Sequence, residues 1–245
     1  MTIRVLLLTA GVTAAARAVR FDSGAPLDGA GRAAAEAAAG WTPRAARVLT
    51  APSRRCRETA VALGLGAEHQ VDEAIADWDL GRWEGRGLAE LTGSEPAAVG
   101  AWLTDPAAAP HGGESLLALR DRIGGWLAEL ARRTPERILA IAEPAVVRAA
   151  VVHALALPPE AFWRLDVPAL TITELSCREG RWNLRLGTRP VPEPAEAEPA
   201  EPAAVPAAGS REPGPAEAPE PAAAPEPVGG PAPGALPERA AAGLR

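Results

Sequence analysis

The chain has no lysine and no tyrosine, and only two cysteines and three histidines in 245 residues. Cys56 and Cys177 cannot build a disulfide framework or a metal cluster. His69, His111 and His153 stand far apart, without the close spacing of metal ligands. No metal and no cofactor is therefore expected. No run approaches the roughly 20 apolar residues that cross a bilayer. The opening MTIRVLLLTAGV leads straight into strand-like sequence rather than reading as a signal peptide. A strongly basic balance is also missing: 25 cations, all arginine, face 31 acids for a net charge of −6. That excludes the positive field that nucleic-acid binding requires. The all-arginine usage reads as the codon bias of a GC-rich genome. A soluble cytoplasmic protein with neither nucleic-acid nor membrane partner is the expectation.

What is abundant is proline, and it is unevenly placed. From Arg189 onward the chain runs RPVPEPAEAEPAEPAAVPAAG and on in the same style, holding 15 of the 26 prolines and no aromatic residue. Ordering a residue costs about 1–2 kcal/mol, and this stretch has too little apolar surface to offset it. It predicts a disordered, partly polyproline-like tail over 189–245, best suited to a spacer and alternatively to engaging a protein partner. Nine glutamates and four arginines fall in that tail, so residues 1–188 are close to neutral and long enough for one buried core.

Within 1–188, apolar runs predict strands at 3–9, 47–50, 137–142, 170–177 and 182–186. Helical patterns lie between them at 27–40, 53–63, 113–133 and 144–157. Ser53 reads as a helix cap, and Pro144 suits the first helical position, where its missing N–H costs nothing. The alternation predicts a mostly parallel sheet with helices on both faces, closed by a hairpin around Glu179 and Gly180. Residues 76–110 form a longer, tryptophan-containing excursion. Ligands bind such sheets at the carboxyl ends of the strands. Ala10 and Glu143 each follow a strand and should meet there.

The turn after the first strand offers Thr9, Ala10 and Gly11, with no nucleophile, base or cation. Three other segments draw notice: APSRRCRETA (51–60), DWDLGRWEG (77–85) and PHGGES (110–115). Singly, each reads as ordinary structure: a capped helix, a tryptophan-anchored loop and a helix start. In their order and spacing, with PLDGAG (26–31) and a strand ending ILAIAEP (138–144), they resemble the histidine phosphatase superfamily over roughly 3–187, nearly the entire folded part. That resemblance implies the phosphoglycerate-mutase-like fold, a three-layer α/β/α sandwich. It places Ala10 where the family has its nucleophilic histidine and Thr9 where it has an arginine. Glu143 falls on the second histidine and Asp77 on the acid that protonates the leaving group. Arg55 is the one phosphate-holding residue of this set kept unchanged. Glu84, His111 and Ser115 complete the candidate ligand-binding residues.

Covalent phosphoryl transfer needs a lone pair at phosphorus, and the methyl of Ala10 has none. Losing such a nucleophile costs on the order of a millionfold in rate. A glutamate at 143 adds an anion beside the bound phosphate, a repulsion of roughly 4 kcal/mol at 4 Å and an effective dielectric near 20. The expectation is a non-catalytic member with a ligand-binding or scaffold role, its ligand a phosphorylated small molecule or none. The alternative is a phosphomonoesterase in which Asp77, Glu84 or Glu143 activates water, with or without a divalent metal. No relocated nucleophile is expected: Cys56 should pack inward, His111 and His69 should lie on exposed loops, and His153 should be a satisfied helix residue. Arg55 and Glu143 should pair across the space of the absent phosphate, joined by Arg148.

Overall fold

The computed structural model describes residues 2–186 apart from 22, 23, 68 and 135. The expected tail, 189–245, lies outside the described residues. A six-stranded sheet is built from β1 (Ile3–Thr9), β2 (Arg47–Thr50), β3 (His69–Val71), β4 (Arg137–Ala142), β5 (Ile172–Arg178) and β6 (Arg181–Arg185). Their order across the sheet is β3-β2-β4-β1-β5-β6. The first four strands pair in parallel, and β5 and β6 add an antiparallel edge. The continuous apolar runs of β1 and β4 mark strands covered on both faces. Every residue of β1 but Arg4 is buried, and so is all of β4 beyond Arg137.

The α-helices are α1 (Ala14–Arg17), α2 (Gly29–Ala37), α3 (Arg54–Ala62), α4 (Leu88–Ser94), α5 (Pro96–Thr104), α6 (Leu116–Ala131) and α7 (Pro144–Ala154). With α2 packed on α3 and α6 on α7, the sheet is the middle of a three-layer α/β/α sandwich. Leu119, Ile123, Leu127 and Leu130 of α6 repeat at helical spacing and are all buried. Two glycines of the sequence motifs are forced by close backbone approach. A Cβ on Gly31 would lie 2.3 Å from the Val12 carbonyl oxygen, and one on Gly113 would lie 2.2 Å from that of Asp79.

Several expectations change. The helix expected over 27–40 starts only at Gly29, because the Asp28 side chain accepts from the Gly31 N–H at 2.6 Å and caps it there. Likewise α6 starts at Leu116, with the Ser115 hydroxyl accepting from the Ala118 N–H. Residues 76–110 contain α4 and α5 rather than one long excursion. His69 is not on a loop: it opens β3, paired with Val48 on the edge of the sheet. His153 sits on the exposed side of α7, its ring lying against Gly124 where a Cβ would come within 2.2 Å.

Candidate functional site

The sheet register delivers the site. Thr9 pairs with Ala142, and Thr50 with Ile141, so β1, β2 and β4 end together. The Ala10 N–H donates to the Ala142 carbonyl at 3.0 Å, which fixes the turn after β1 beside Glu143. α3 is tied to the same turn. Thr59 Oγ1 accepts from the Gly11 N–H at 3.0 Å and donates to the Arg55 carbonyl at 2.7 Å.

Glu143 is the N-cap of α7 and is 0% exposed. Its carboxylate is held by α3 and the cap residue Ser53 that precedes it. Ser53 Oγ donates to Oε1 at 2.6 Å, the Cys56 thiol lies 3.5 Å from the same oxygen, and Arg55 Nη2 pairs with Oε2. The Arg55 Nε–H is buried with no hydrogen-bond partner. Burial, the largest influence, draws the Arg55 guanidinium down, but the charge and hydrogen bond of Glu143 together with the charges of Asp77 and Cys56 leave it above its ordinary value. Burial, then the Glu143 charge, hold the Cys56 thiol well above its ordinary range. A thiol in that state is not the thiolate that attacks.

Asp77 stands half-buried beside this pair, with its Oδ1 accepting from the Trp78 N–H at 2.8 Å. Its loop is braced from α6. Arg122 makes a two-toothed pair with Glu114 at 2.8 Å and donates to the carbonyls of Ala74, Ala76 and Asp77. Burial, then the Glu143 charge, push the Asp77 carboxyl up from its ordinary 3.8 to about 7, against the pull of Arg55 and the Trp78 N–H. Between those values the folded chain holds a proton that the unfolded chain has released, so this group lowers stability as pH rises through the window. Asp77→Asn removes the titration. Its urea midpoint should exceed that of wild type most at about pH 8, and the difference should shrink toward about pH 4. A difference that does not change with pH would sink this account of Asp77.

Two hollows meet at Asp77. A cavity of about 200 Å³ is lined by Phe21, Trp78, Trp102, Phe162 and Trp163, with Arg20, Arg55, Asp77, Glu84 and Arg148 among its polar groups. An open cleft of about 630 Å³ shares Asp77, Trp78, Leu80 and Glu84 with it and continues past Ser53 to Arg54 and Arg57. Over residues 5–188 the sequence matches the histidine phosphatase superfamily, branch 1. The chain belongs to that superfamily.

Mycobacterial proteins are among those it resembles. A glucosyl-3-phosphoglycerate phosphatase of Mycobacterium tuberculosis is 36% identical over 91 residues, 36% of this chain and 41% of that one. A bifunctional protein of the same species is 34% identical over 151 residues, 59% of this chain and 39% of that one. The chain thus matches about two fifths of the length of these curated relatives. A solved mycobacterial glucosyl-3-phosphoglycerate phosphatase superposes with a TM-score of 0.67 at 28% identity, covering 75% of this chain and 97% of that structure.

In this histidine phosphatase superfamily chain the candidate residues separate into groups. Thr9, Ala10, Gly11, Arg55, Asp77 and Glu143 cluster at the strand ends, although Thr9, Ala10 and Glu143 line neither hollow. Thr9 is buried and turned to the Thr171 carbonyl, 3.4 Å away. Glu84 lines both hollows. His111 is corrected from an exposed loop residue at the pocket rim to a buried one. It is 1% exposed, packs between Trp78 and Trp83, and lines neither hollow. Ser115 caps α6 and lines neither hollow. Arg148 does not join the Arg55–Glu143 pair: its Nε–H donates to the Leu165 carbonyl at 2.8 Å. Among the described residues no three His, Cys, Asp or Glu side chains form a group that could hold a metal, so Asp77, Glu84 and Glu143 do not converge on one.

Sequence reading missed the Arg122 brace and the aromatic wall of the cavity. Arg122 follows Glu114 by eight residues, a spacing with no local meaning until the loop folds back. The aromatics were visible as the few in the chain, but they come from four separate segments.

Proposed function

We propose that this chain is a non-catalytic member of the histidine phosphatase superfamily, which binds a ligand beside a phosphate position filled by its own Glu143 carboxylate. The buried Arg55–Glu143 pair carries this reading. In the family alignment that the motifs suggest, Arg55 is a phosphate ligand and Glu143 replaces a histidine. Here the arginine already holds an anion, and that anion is tethered to the chain. Ala10 supplies no lone pair for attack, and the one nearby thiol is held protonated. The phosphatase names of the mycobacterial relatives favour retained activity instead, with Asp77, its pKa near 7, as the proton donor.

The deciding experiment is turnover of a broad phosphomonoester panel by the purified full-length chain, with and without Mg²⁺, Mn²⁺ and Zn²⁺. The expected result is no turnover above the uncatalysed rate under any condition. Turnover that survives in an Ala10→Gly variant and disappears in Asp77→Asn would overturn the proposal in favour of carboxylate-assisted hydrolysis.

A further inference from the structure

Aromatic residues make up 4% of the sequence, yet five of the nine, Phe21, Trp78, Trp102, Phe162 and Trp163, line the cavity of about 200 Å³ beside Asp77. They form corners rather than a slot. Trp102 and Trp163 stand 4.7 Å apart at 75°, Trp78 and Phe162 5.4 Å apart at 79°, and Phe162 and Trp163 5.1 Å apart at 84°. Even the flattest pair of lining rings in contact, Trp78 and Trp102, is tilted by 35°. A flat base or indole has no parallel pair of faces to slide between. A saturated ring suits such a corner, because its slightly positive C–H groups meet the negative ring faces from several directions. The volume also favours a single small ring, since sites for drug-sized ligands run to about 300–1,000 Å³.

The polar groups of the cavity are balanced in sign. Arg20, Arg55 and Arg148 stand with Asp77 and Glu84 in the lining, and Glu143 pairs with Arg55 from behind. Arg148 already lies over the Phe162 ring, 5.7 Å from its centre, so an organic cation would have to share that wall with a fixed cation. A phosphate dianion would meet two carboxylates in the cavity and a third, Glu143, behind Arg55. Hydroxyl groups suit both signs, since they accept from guanidinium and donate to carboxylate.

We infer that this cavity binds a neutral polyhydroxylated ring carrying no phosphate, an unphosphorylated sugar or cyclic polyol. Its C–H faces rest in the corner of Trp78, Trp102 and Trp163, and its hydroxyls reach Asp77, Glu84 and Arg148. This rests on the reading that Glu143 fills the phosphate position.

The test is a titration of the full-length chain, followed by tryptophan fluorescence and calorimetry. The probes are D-glucose, D-mannose and myo-inositol, with glucose 6-phosphate, choline and adenosine for comparison. At least one neutral polyol should bind saturably in the millimolar range, and glucose 6-phosphate at least about tenfold more weakly than glucose. Trp163→Ala should weaken polyol binding by about tenfold or more, and Trp163→Phe, which keeps a ring face, should retain most of it. Saturation by choline or adenosine without the polyols overturns the inference, as does polyol binding indifferent to Trp163→Ala. Silence of every polyol and of glucose 6-phosphate overturns this inference alone. Tighter binding of glucose 6-phosphate than of glucose overturns both readings, because the phosphate position would then be open.

Discussion

A Thr9→Arg, Ala10→His, Glu143→His variant should hydrolyse simple phosphomonoesters at least about a thousandfold faster than the parent chain, recovering part of the millionfold that a lost nucleophile costs. Each substitution answers one deficit. Histidine at 10 returns a lone pair at the end of β1, where the backbone is already fixed by the Ala10–Ala142 and Gly11–Thr59 hydrogen bonds. Removing the carboxylate at 143 frees Arg55 and its buried Nε–H to take phosphate oxygens, while Ser53 Oγ remains in place. Arginine at 9 adds the second cation for a dianion. Asp77 is untouched and keeps the burial that raises its carboxyl most, although the further push from the Glu143 charge is gone, so it remains the candidate to protonate a leaving group.

The single Glu143→His variant separates binding from chemistry: it should bind inorganic phosphate, turn nothing over, and differ in the first respect from a wild type expected to bind none. Thr9 and Ala10 are both buried, so the triple variant adds bulk at the core. Circular dichroism and a urea transition establish whether it folds. The lighter Ala10→His, Glu143→His pair serves if it does not. A folded variant of either kind, silent on a phosphomonoester panel, would show that Ala10 does not stand at a nucleophile position.

The parts of this fold legible in the sequence are those where one local signal decides. β1, β2 and β4 have the limits that their apolar runs suggest, because buried parallel strands need continuous hydrophobicity and stop where the turn begins. β3 has only His69, Gln70 and Val71, too few for any period, and its pairing with β2 makes it a strand. Helix starts moved where a side-chain cap, Asp28 or Ser115, beat the apolar pattern.

At the site, the resemblance, which sets Arg55 and Glu143 on two positions around one phosphate, was enough to predict their pair. The fate of Arg148 was not, because its partner is a backbone carbonyl in a distant loop. His111 shows the same limit. Flanked by proline and glycines it looks like an exposed turn, but Trp78 and Trp83 fold over it, and burial lowers its pKa so that the ring stays neutral. Packing partners from remote segments carry no signature in the residues next door.

Arg55→Ala should cost about 3–5 kcal/mol of unfolding free energy, as removal of one member of a buried ion pair does. From the chain, Glu143 would keep only the Ser53 hydroxyl and the weak Cys56 thiol as donors. Against a total of about 5–15 kcal/mol for an ordinary domain, that loss is a large part of the stability. The pair itself need not be the source of the stability, since desolvating both charges offsets most of their attraction. An Arg55→Met, Glu143→Leu double variant should therefore lie within about 1–2 kcal/mol of wild type, far above the Arg55→Ala single. Urea transitions of wild type, Arg55→Met, Glu143→Leu and the double give the coupling directly. If Arg55→Ala costs under about 1 kcal/mol, the value of an exposed surface pair, then Glu143 is not held as a buried anion and the phosphate position is not filled by it.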